Sequence, residues 1–388
     1  MYCKFHSSIA EIESGLWDRI FGSENPFVRH AYLRALEQSG CVNAENGWQP
    51  RHLVVSENDQ LVAVMPSYVK SHSYGEFVFD WGWAEAYERH GLKYYPKLVS
   101  AIPFSPVTGP RIGVASGVNV SDVLSVMIDA VQQLALTRDY SSWHLLFPDQ
   151  ALQQAFAEMN DDNSILHRDA VQFHWFNRDY RSFDDFLATF RSSRRKNLKR
   201  ERRKVTEQRV SLQRKTGAEI SDEDWQGFYH CYVDTYRKRS GHDGYLNREF
   251  FDLLRRNMSD QLMLVVARNG GTVVAASLFL FDHDTLYGRY WGALQDISCL
   301  HFEACFYQGI EFCIERGLQK FDPGTQGEHK LMRGFEPVKT VSYHWVKDVR
   351  FRAAIADFLR QEKRGTDSYQ TQAETFLPYK RSDADGSG

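Results

Sequence analysis

The segment Asp322–Pro337, DPGTQGEHKLMRGFEP, places a carboxylate, an imidazole, an amine and a guanidinium in one glycine-rich loop. Glu328 or His329 can take a proton as a general base, and Lys330 or Arg333 can hold a carbonyl or phosphate oxygen. A short strand, Lys320–Asp322, is expected just before it, and loops at strand ends are where α/β proteins hold ligands. The plain alternative is a charged, turn-rich connection. The glycines match neither a Walker loop nor a dinucleotide fingerprint.

A second segment, Phe190–Val205, reads FRSSRRKNLKRERRKV. From Arg191 to Lys204 it holds nine cations opposed only by Glu201. On a helix they cover most of the circumference, leaving a thin apolar seam at Leu198 and Val205. Ser192 or Ser193 is expected to cap its start. Such a helix suits phosphate, as part of a nucleotide cofactor, a pyrophosphate-lipid or tRNA, with Arg194, Arg195, Lys196 and Arg200 as contacts. The alternative is a solvated face paired with Asp184 and Asp185. No aromatics interleave with the cations, so base stacking is not indicated.

Two further segments carry weaker signals. In Ser73–Leu98, Asp80, Glu85, Arg89, Tyr94, Tyr95 and Lys97 lie among many rings. They read as core packing or as a groove wall, with Asp80 and Tyr95 as the binding candidates. The loop PFSPVTGP follows and is expected to shape the same cleft. In Thr285–Cys313, Arg289 shares a strand face with Tyr287 and Trp291, and Tyr290 lies on the other. Glu303 sits in the first turn of the next helix, as a proton acceptor or as a complement to the helix dipole. No HExxH, GxSxG or paired-cysteine pattern occurs, so no metal site or serine nucleophile is expected.

These segments need a frame. A chain of 388 residues is expected to form two domains. Its 43% apolar and 25% charged residues exclude a disordered chain or a membrane bundle. With 47 basic and 50 acidic residues, any nucleic-acid footprint must be local. The 6 cysteines are scattered and read as reduced thiols. No signal peptide and no membrane span of ~20 apolar residues is read from the pattern.

The first half reads as helices over Ile9–Phe21 and Phe27–Ser39, then the hairpin His52–Ser56 and Leu61–Lys70. Helix Trp81–His90, strand Tyr94–Ala101, helix Val118–Leu136, strand Trp143–Phe147 and helix Gln150–Met159 follow. The second half repeats this order loosely, with a hairpin at Asn269-Gly270-Gly271. The reading is an α/β chain of two similar units with mixed sheets. One spans 1–165; the other spans 166–365 and carries the basic helix 191–205. They are joined near Asp161–His167, and 366–388 is expected to be a flexible tail.

The segments HSYGEFVFDWGWAEAYERHGLKYYPKL, PFSPVTGPR, FRSSRRKNLKRERRKV and PGTQGEHKLMRGFEPV together resemble bacterial peptidoglycan-biosynthesis-like N-acyltransferases, the Fem-type branch of the GNAT superfamily. The resemblance runs from about Trp17 to Glu362. It implies tandem GNAT-like domains and transfer of an acyl or aminoacyl group to an amine, with a role in peptidoglycan precursor metabolism. The donor is expected to be acyl-CoA or aminoacyl-tRNA, and no tightly bound cofactor is expected. Gly292–Leu300, GALQDISCL, lacks the Q/R-x-x-G-x-G/A loop by which GNAT enzymes hold acetyl-CoA. Residues 191–204 fit a tRNA or pyrophosphate-lipid contact better, although no separate helical arm is evident. The rival readings are a non-catalytic binder of RNA or anionic lipid and a CoA-dependent acetyltransferase of small amines. The expected location is cytoplasmic, with peripheral contact at the inner membrane face as an extension. The oligomeric state is left open.

Overall fold

The computed structural model describes residues 1–22, 24–159, 164–325 and 327–380. They form two compact units. Unit 1 comprises Met1–Ala170, Tyr245–Asn257 and Lys339–Asp367. Unit 2 comprises Val171–Gly244, Met258–Val338 and the described residues from Ser368 onward. The first changeover lies close to the expected boundary after 165. The second does not follow a simple split, because two later segments return to unit 1. Residues 161–163 of the expected linker lie outside the described residues.

Unit 1 contains β1 (Tyr2–His6), α1 (Ser14–Phe21), α2 (His30–Gln38), β2 (Trp48–Pro50), β3 (His52–Glu57), β4 (Gln60–Met65) and β5 (Tyr68–Lys70). Then come α3 (Trp81–Arg89), β6 (Lys97–Ser100), β7 (Gly113–Val114), α4 (Val120–Arg138), β8 (Ser142–Leu146) and α5 (Gln150–Glu158). Strand β9 (Ile165–Phe176) starts here and ends in unit 2. One sheet has the order β1-β3-β4-β7; another runs β8-β6-β5-β2, in which β6 and β8 are parallel. The expected helix over Ile9–Phe21 is broken because the Glu13 carboxylate caps α1, accepting from Gly15 and Leu16 N–H. Helix α4 has the length and mean hydropathy, 1.2, of a membrane span. It nevertheless buries Val123, Leu124, Met127, Val131 and Ala135 in the unit 1 core.

The chain continues with α6 (Phe183–Ala188), α7 (Ser192–Glu207), β10 (Val210–Thr216), α8 (Asp222–Ser240), α9 (Arg248–Met258), β11 (Leu262–Asn269), β12 (Thr272–Phe281) and β13 (Thr285–Ala293). Next are α10 (Leu300–Phe302), a π-helical turn Glu303–Tyr307, α11 (Gln308–Arg316), β14 (Lys320–Asp322), β15 (Glu336–Val346) and α12 (Val349–Thr375). The unit 2 sheet runs β10-β11-β12-β13-β14-β9, and only β13 and β14 are parallel in it. Gly292 is dictated by packing: a Cβ there would lie 2.1 Å from the Cys231 backbone of α8. Trp175, Phe186, Phe279, Tyr307, Ile310, Phe321 and Phe335 form the core.

Two expectations are corrected here. Residues 366–380 are not a loose tail. Helix α12 runs to Thr375, and Lys380 N–H donates to Thr189 O at 2.9 Å while Tyr379 OH donates to Gly334 O at 2.6 Å. Residues 381–388 lie outside the described residues. The basic helix begins with Ser192 as its first residue, and the cap position is Arg191, which makes no side-chain cap.

Candidate functional site

Strands β13 and β14 pair in parallel over three residues, ending at Tyr287 opposite Asp322. Then they part. Strand β13 continues to Ala293, while the chain after Asp322 turns into the glycine-rich loop. A cleft beyond the carboxyl ends of parallel strands is where backbone groups and side chains converge on a ligand. At the parting, β13 carries a bulge: Leu278 faces Tyr290 and Phe279 faces Gly288, so Arg289 is the extra residue. Bulges re-aim side chains. Arg289 donates to Asp322 Oδ2 at 2.8 Å and to Gly288 O at 2.7 Å. The other Asp322 oxygen accepts Gly324 N–H at 2.9 Å and lies 3.7 Å from His174 Nε2. Burial would raise this carboxyl, but the Arg289 guanidinium, with the Gly324 N–H, holds it well below the carboxylate range. Burial brings His174 down to about 4, so it is neutral.

Lys330 is the chemical centre of the loop. It is 2% exposed, and its amine donates to Gly324 O at 2.5 Å. Burial lowers its pKa to about 7, against the pull of Asp322. A buried lysine without a carboxylate contact is poised between amine and ammonium at neutral pH. Its neighbour His329 packs among Phe302, Phe306 and His301, with ring centroids 5.5–6.0 Å apart. Burial, Arg333 and Lys330 lower the His329 pKa, and its buried Nε2 has no hydrogen-bond partner among the described residues.

The other expected residues fall elsewhere. Glu328 is exposed and accepts from Tyr369 OH at 2.9 Å. Glu303 is buried, but Arg202 grips it with two bonds of 2.8 and 3.0 Å, and Gln308 adds a third of 2.8 Å. Its carboxylate is a structural anchor for α7, not an idle base. Arg333 is buried, bound to Glu201 at 2.7 Å, His329 O at 2.7 Å and Tyr307 OH at 3.0 Å, with its guanidinium 3.4 Å from the Phe302 ring centre. Those bonds leave it a clamp for the loop. Tyr290 packs edge-on against Tyr232 of α8. Asp80 and Tyr95 belong to a buried network in unit 1: Asp80 binds Lys97 and Tyr94, and Tyr95 OH shares a 2.8 Å bond with Ser73.

Helix α7 buries Leu198 and Val205, as its seam predicts. Glu201, the one acid of the basic run, turns inward to Arg333, so it does not screen the outer cations. Lys199 pairs with Asp184 at 2.8 Å; Arg194 meets Met332 of the loop at 3.3 Å; Arg200 meets Asn197 at 3.2 Å. Arg195, Lys196 and Lys204 make no ion pair among the described residues.

Unit 1 has its own parallel pair, β6 and β8, but there the parting is filled. Gly109 forms a bridge to Pro148, and buried Arg111 donates to Leu146 O at 2.8 Å and Pro110 O at 3.0 Å. The loop PFSPVTGP thus plugs a cleft where it was expected to shape one.

Sequence reasoning missed Asp322 and His174 in unit 2, and Lys70, Glu76, His144 and His344 in unit 1. Their signal was a charged or imidazole side chain inside an apolar strand, as in SYVK, SWHLL and SYHWV. No group of three or more potential metal ligands occurs among the described residues.

A family model described as peptidoglycan biosynthesis/recognition, FemAB-like, matches residues 8–381. The chain belongs to the FemAB-like family. Three solved structures share the fold of this FemAB-like protein at low identity. A conserved protein of unknown function from Bacteroides thetaiotaomicron is 12% identical with a TM-score of 0.52, covering 89% of this chain and 100% of that one. The C-terminal DUF2156 domain of a proposed lysylphosphatidylglycerol synthetase from Agrobacterium fabrum is 9% identical with a TM-score of 0.52, covering 90% and 96%. FemX is 10% identical with a TM-score of 0.51, covering 92% and 100%. The FemAB-like chain therefore shares the mixed α/β fold of these structures. No curated protein matches it by sequence.

Proposed function

We propose that this FemAB-like protein is an N-acyltransferase or aminoacyltransferase that works in the unit 2 cleft. The observation that carries this reading is the pairing of Lys330, a buried amine near neutrality, with His329, whose buried Nε2 lacks a partner among the described residues. Direct transfer needs an amine attacking a carbonyl, with loss of one proton from that amine. Neutral Lys330 or His329 Nε2 accepts that proton as the C–N bond forms, and the bond to the donor's thiol or ribose oxygen then breaks. No covalent enzyme intermediate is required.

The outer cations of α7, Arg194, Arg195, Lys196 and Arg200, suit a donor rich in phosphate, either acyl-CoA or aminoacyl-tRNA. The family description supports an acceptor amine on a peptidoglycan precursor. The test follows a labelled acyl group from acetyl-CoA, and a labelled amino acid from charged tRNA, to a peptidoglycan-precursor amine. Transfer that Lys330→Met and His329→Ala both abolish is the expected result. Transfer that survives both substitutions, or no transfer from either donor, overturns the reading.

A further inference from the structure

Unit 1 buries two lysines and two carboxylates together. Lys97 opens β6 and is fully buried. Its ammonium donates to Ser73 Oγ at 2.8 Å, Glu76 Oε2 at 2.8 Å and Asp80 Oδ2, which uses all three of its protons. Tyr94 OH donates to the same Asp80 oxygen at 2.5 Å. Glu76 and Asp80 are 3% and 2% exposed, yet Glu76 Oε1 and Asp80 Oδ1 have no hydrogen-bond partner among the described residues.

The complementary groups lie beside them. Lys70 is fully buried, 3.6 Å above the Trp48 ring, and donates one bond, to Tyr74 O at 3.1 Å. The indole N–H of Trp48 has no acceptor among the described residues. One cluster therefore holds two carboxyl oxygens lacking donors and N–H groups lacking acceptors among the described residues. Each bare buried group is costly unless something fills it.

We infer that this cluster is a second ligand site, for a small molecule bearing a primary ammonium whose N–H groups meet Glu76 Oε1 and Asp80 Oδ1. A carboxylate on the same molecule matches Lys70 and the Trp48 N–H, so a free α-amino acid is the class that fits both halves. The segment 71–80 covers the cluster. Its Gly75 has φ +80° and seats the turn against Phe104, where a Cβ would approach within 2.6 Å. Tyr74 and Phe79 on the same segment face solvent. Entry requires this segment to lift.

The charges give the site a measurable signature. Burial lowers Lys70 to about 7 and raises Glu76 to about 7. An arriving ammonium pushes Glu76 down and releases its proton, whereas an arriving carboxylate beside Lys70 pushes that amine up and takes a proton in. The site stands apart from the transfer reading of unit 2, and failure of transfer leaves it untouched.

The test is calorimetric titration of the full-length protein at neutral pH in phosphate and in HEPES, with L-alanine, ethylammonium and tetramethylammonium. Ethylammonium is expected to bind with proton release, L-alanine more tightly and with less release, and tetramethylammonium, which has no N–H, not at all. Glu76→Gln and Asp80→Asn are expected to weaken L-alanine by at least about tenfold. Trp48→Phe keeps the ring and is expected to weaken L-alanine while sparing ethylammonium. Equal binding of tetramethylammonium overturns the proposal. So does the absence of any primary-amine signal from the wild-type protein up to about 100 mM. In that case the open oxygens hold structural water only.

Discussion

The amine of Lys330 is anchored on the carbonyl oxygen of Gly324, 2.5 Å away, and on no carboxylate among the described residues. That relation leaves the amine able to give up its proton near pH 7. If Lys330 is the proton acceptor, the rate of transfer rises as pH climbs through 7 and levels off above it. Lys330→Met is expected to reduce transfer by about 10²–10⁴ and to remove that inflection. A pH–rate profile of both proteins with one donor checks it. An unchanged inflection in the variant assigns the titration to another group.

The same residue sets a stability prediction. The folded amine loses its proton near pH 7, whereas the unfolded one keeps it to about 10.4. Between those values the unfolded chain binds more protons, so folding is favoured as pH rises, by about 1.4 kcal/mol per unit for one proton. Below pH 7 the full cost of burying the charge is present. Lys330→Met is therefore expected to melt higher than the wild-type protein at pH 6, with the gap closing toward pH 10. Denaturant unfolding at three pH values checks the trend, and a constant gap refutes it.

Glu303 illustrates the opposite role. Its carboxylate is buried and taken up by Arg202 and Gln308. Glu303→Gln removes one of the two carboxylates on Arg202, which keeps Glu311 at 2.6 Å, an effect on the order of 1–3 kcal/mol for one charge-assisted bond. The expected outcome is a clear loss of stability with transfer per folded molecule retained. Activity that falls far more than the folded fraction restores a chemical role to Glu303.

Residue type was readable from the chain, and residue environment was not. The loop Asp322–Pro337, the seam of α7 at Leu198 and Val205, and the turn at Asn269-Gly270-Gly271 all follow from local pattern. Arg333 and Lys330 look alike in sequence, three residues apart on one loop. Only the fold shows that Arg333 is spent on Glu201 while Lys330 is not. The unit 1 centre was harder to see for a topological reason. His144 meets His344 at 2.5 Å across 200 residues, because β15 carries the chain back to pair with β8. Ordinary local spacing carries no trace of such a return. The tail was misread for a similar cause: the stretch from Thr366 to its DADGSG end reads as polar and open, yet Tyr379 OH finds Gly334 O.

The last prediction concerns α7. Its inward residues, Glu201 and Arg202, hold the helix to unit 2, while Arg195 and Lys196 make no ion pair among the described residues. Like charges on adjacent turns repel, so removing two of them should not cost stability. Arg195→Ala with Lys196→Ala is therefore expected to leave the melting temperature unchanged or slightly higher. Phosphate binding shows in the salt dependence of affinity, whose logarithmic slope falls by about 0.7–0.9 for each phosphate that is no longer neutralised. If both residues touch a phosphate-rich donor, the double variant binds it more weakly and with a shallower salt slope. Measuring affinity for charged tRNA and for acetyl-CoA at several salt concentrations also separates the donors. A slope of many charges belongs to tRNA, and a slope of two or three belongs to CoA. An unaltered slope for both would mean that the outer face of α7 is only solvated.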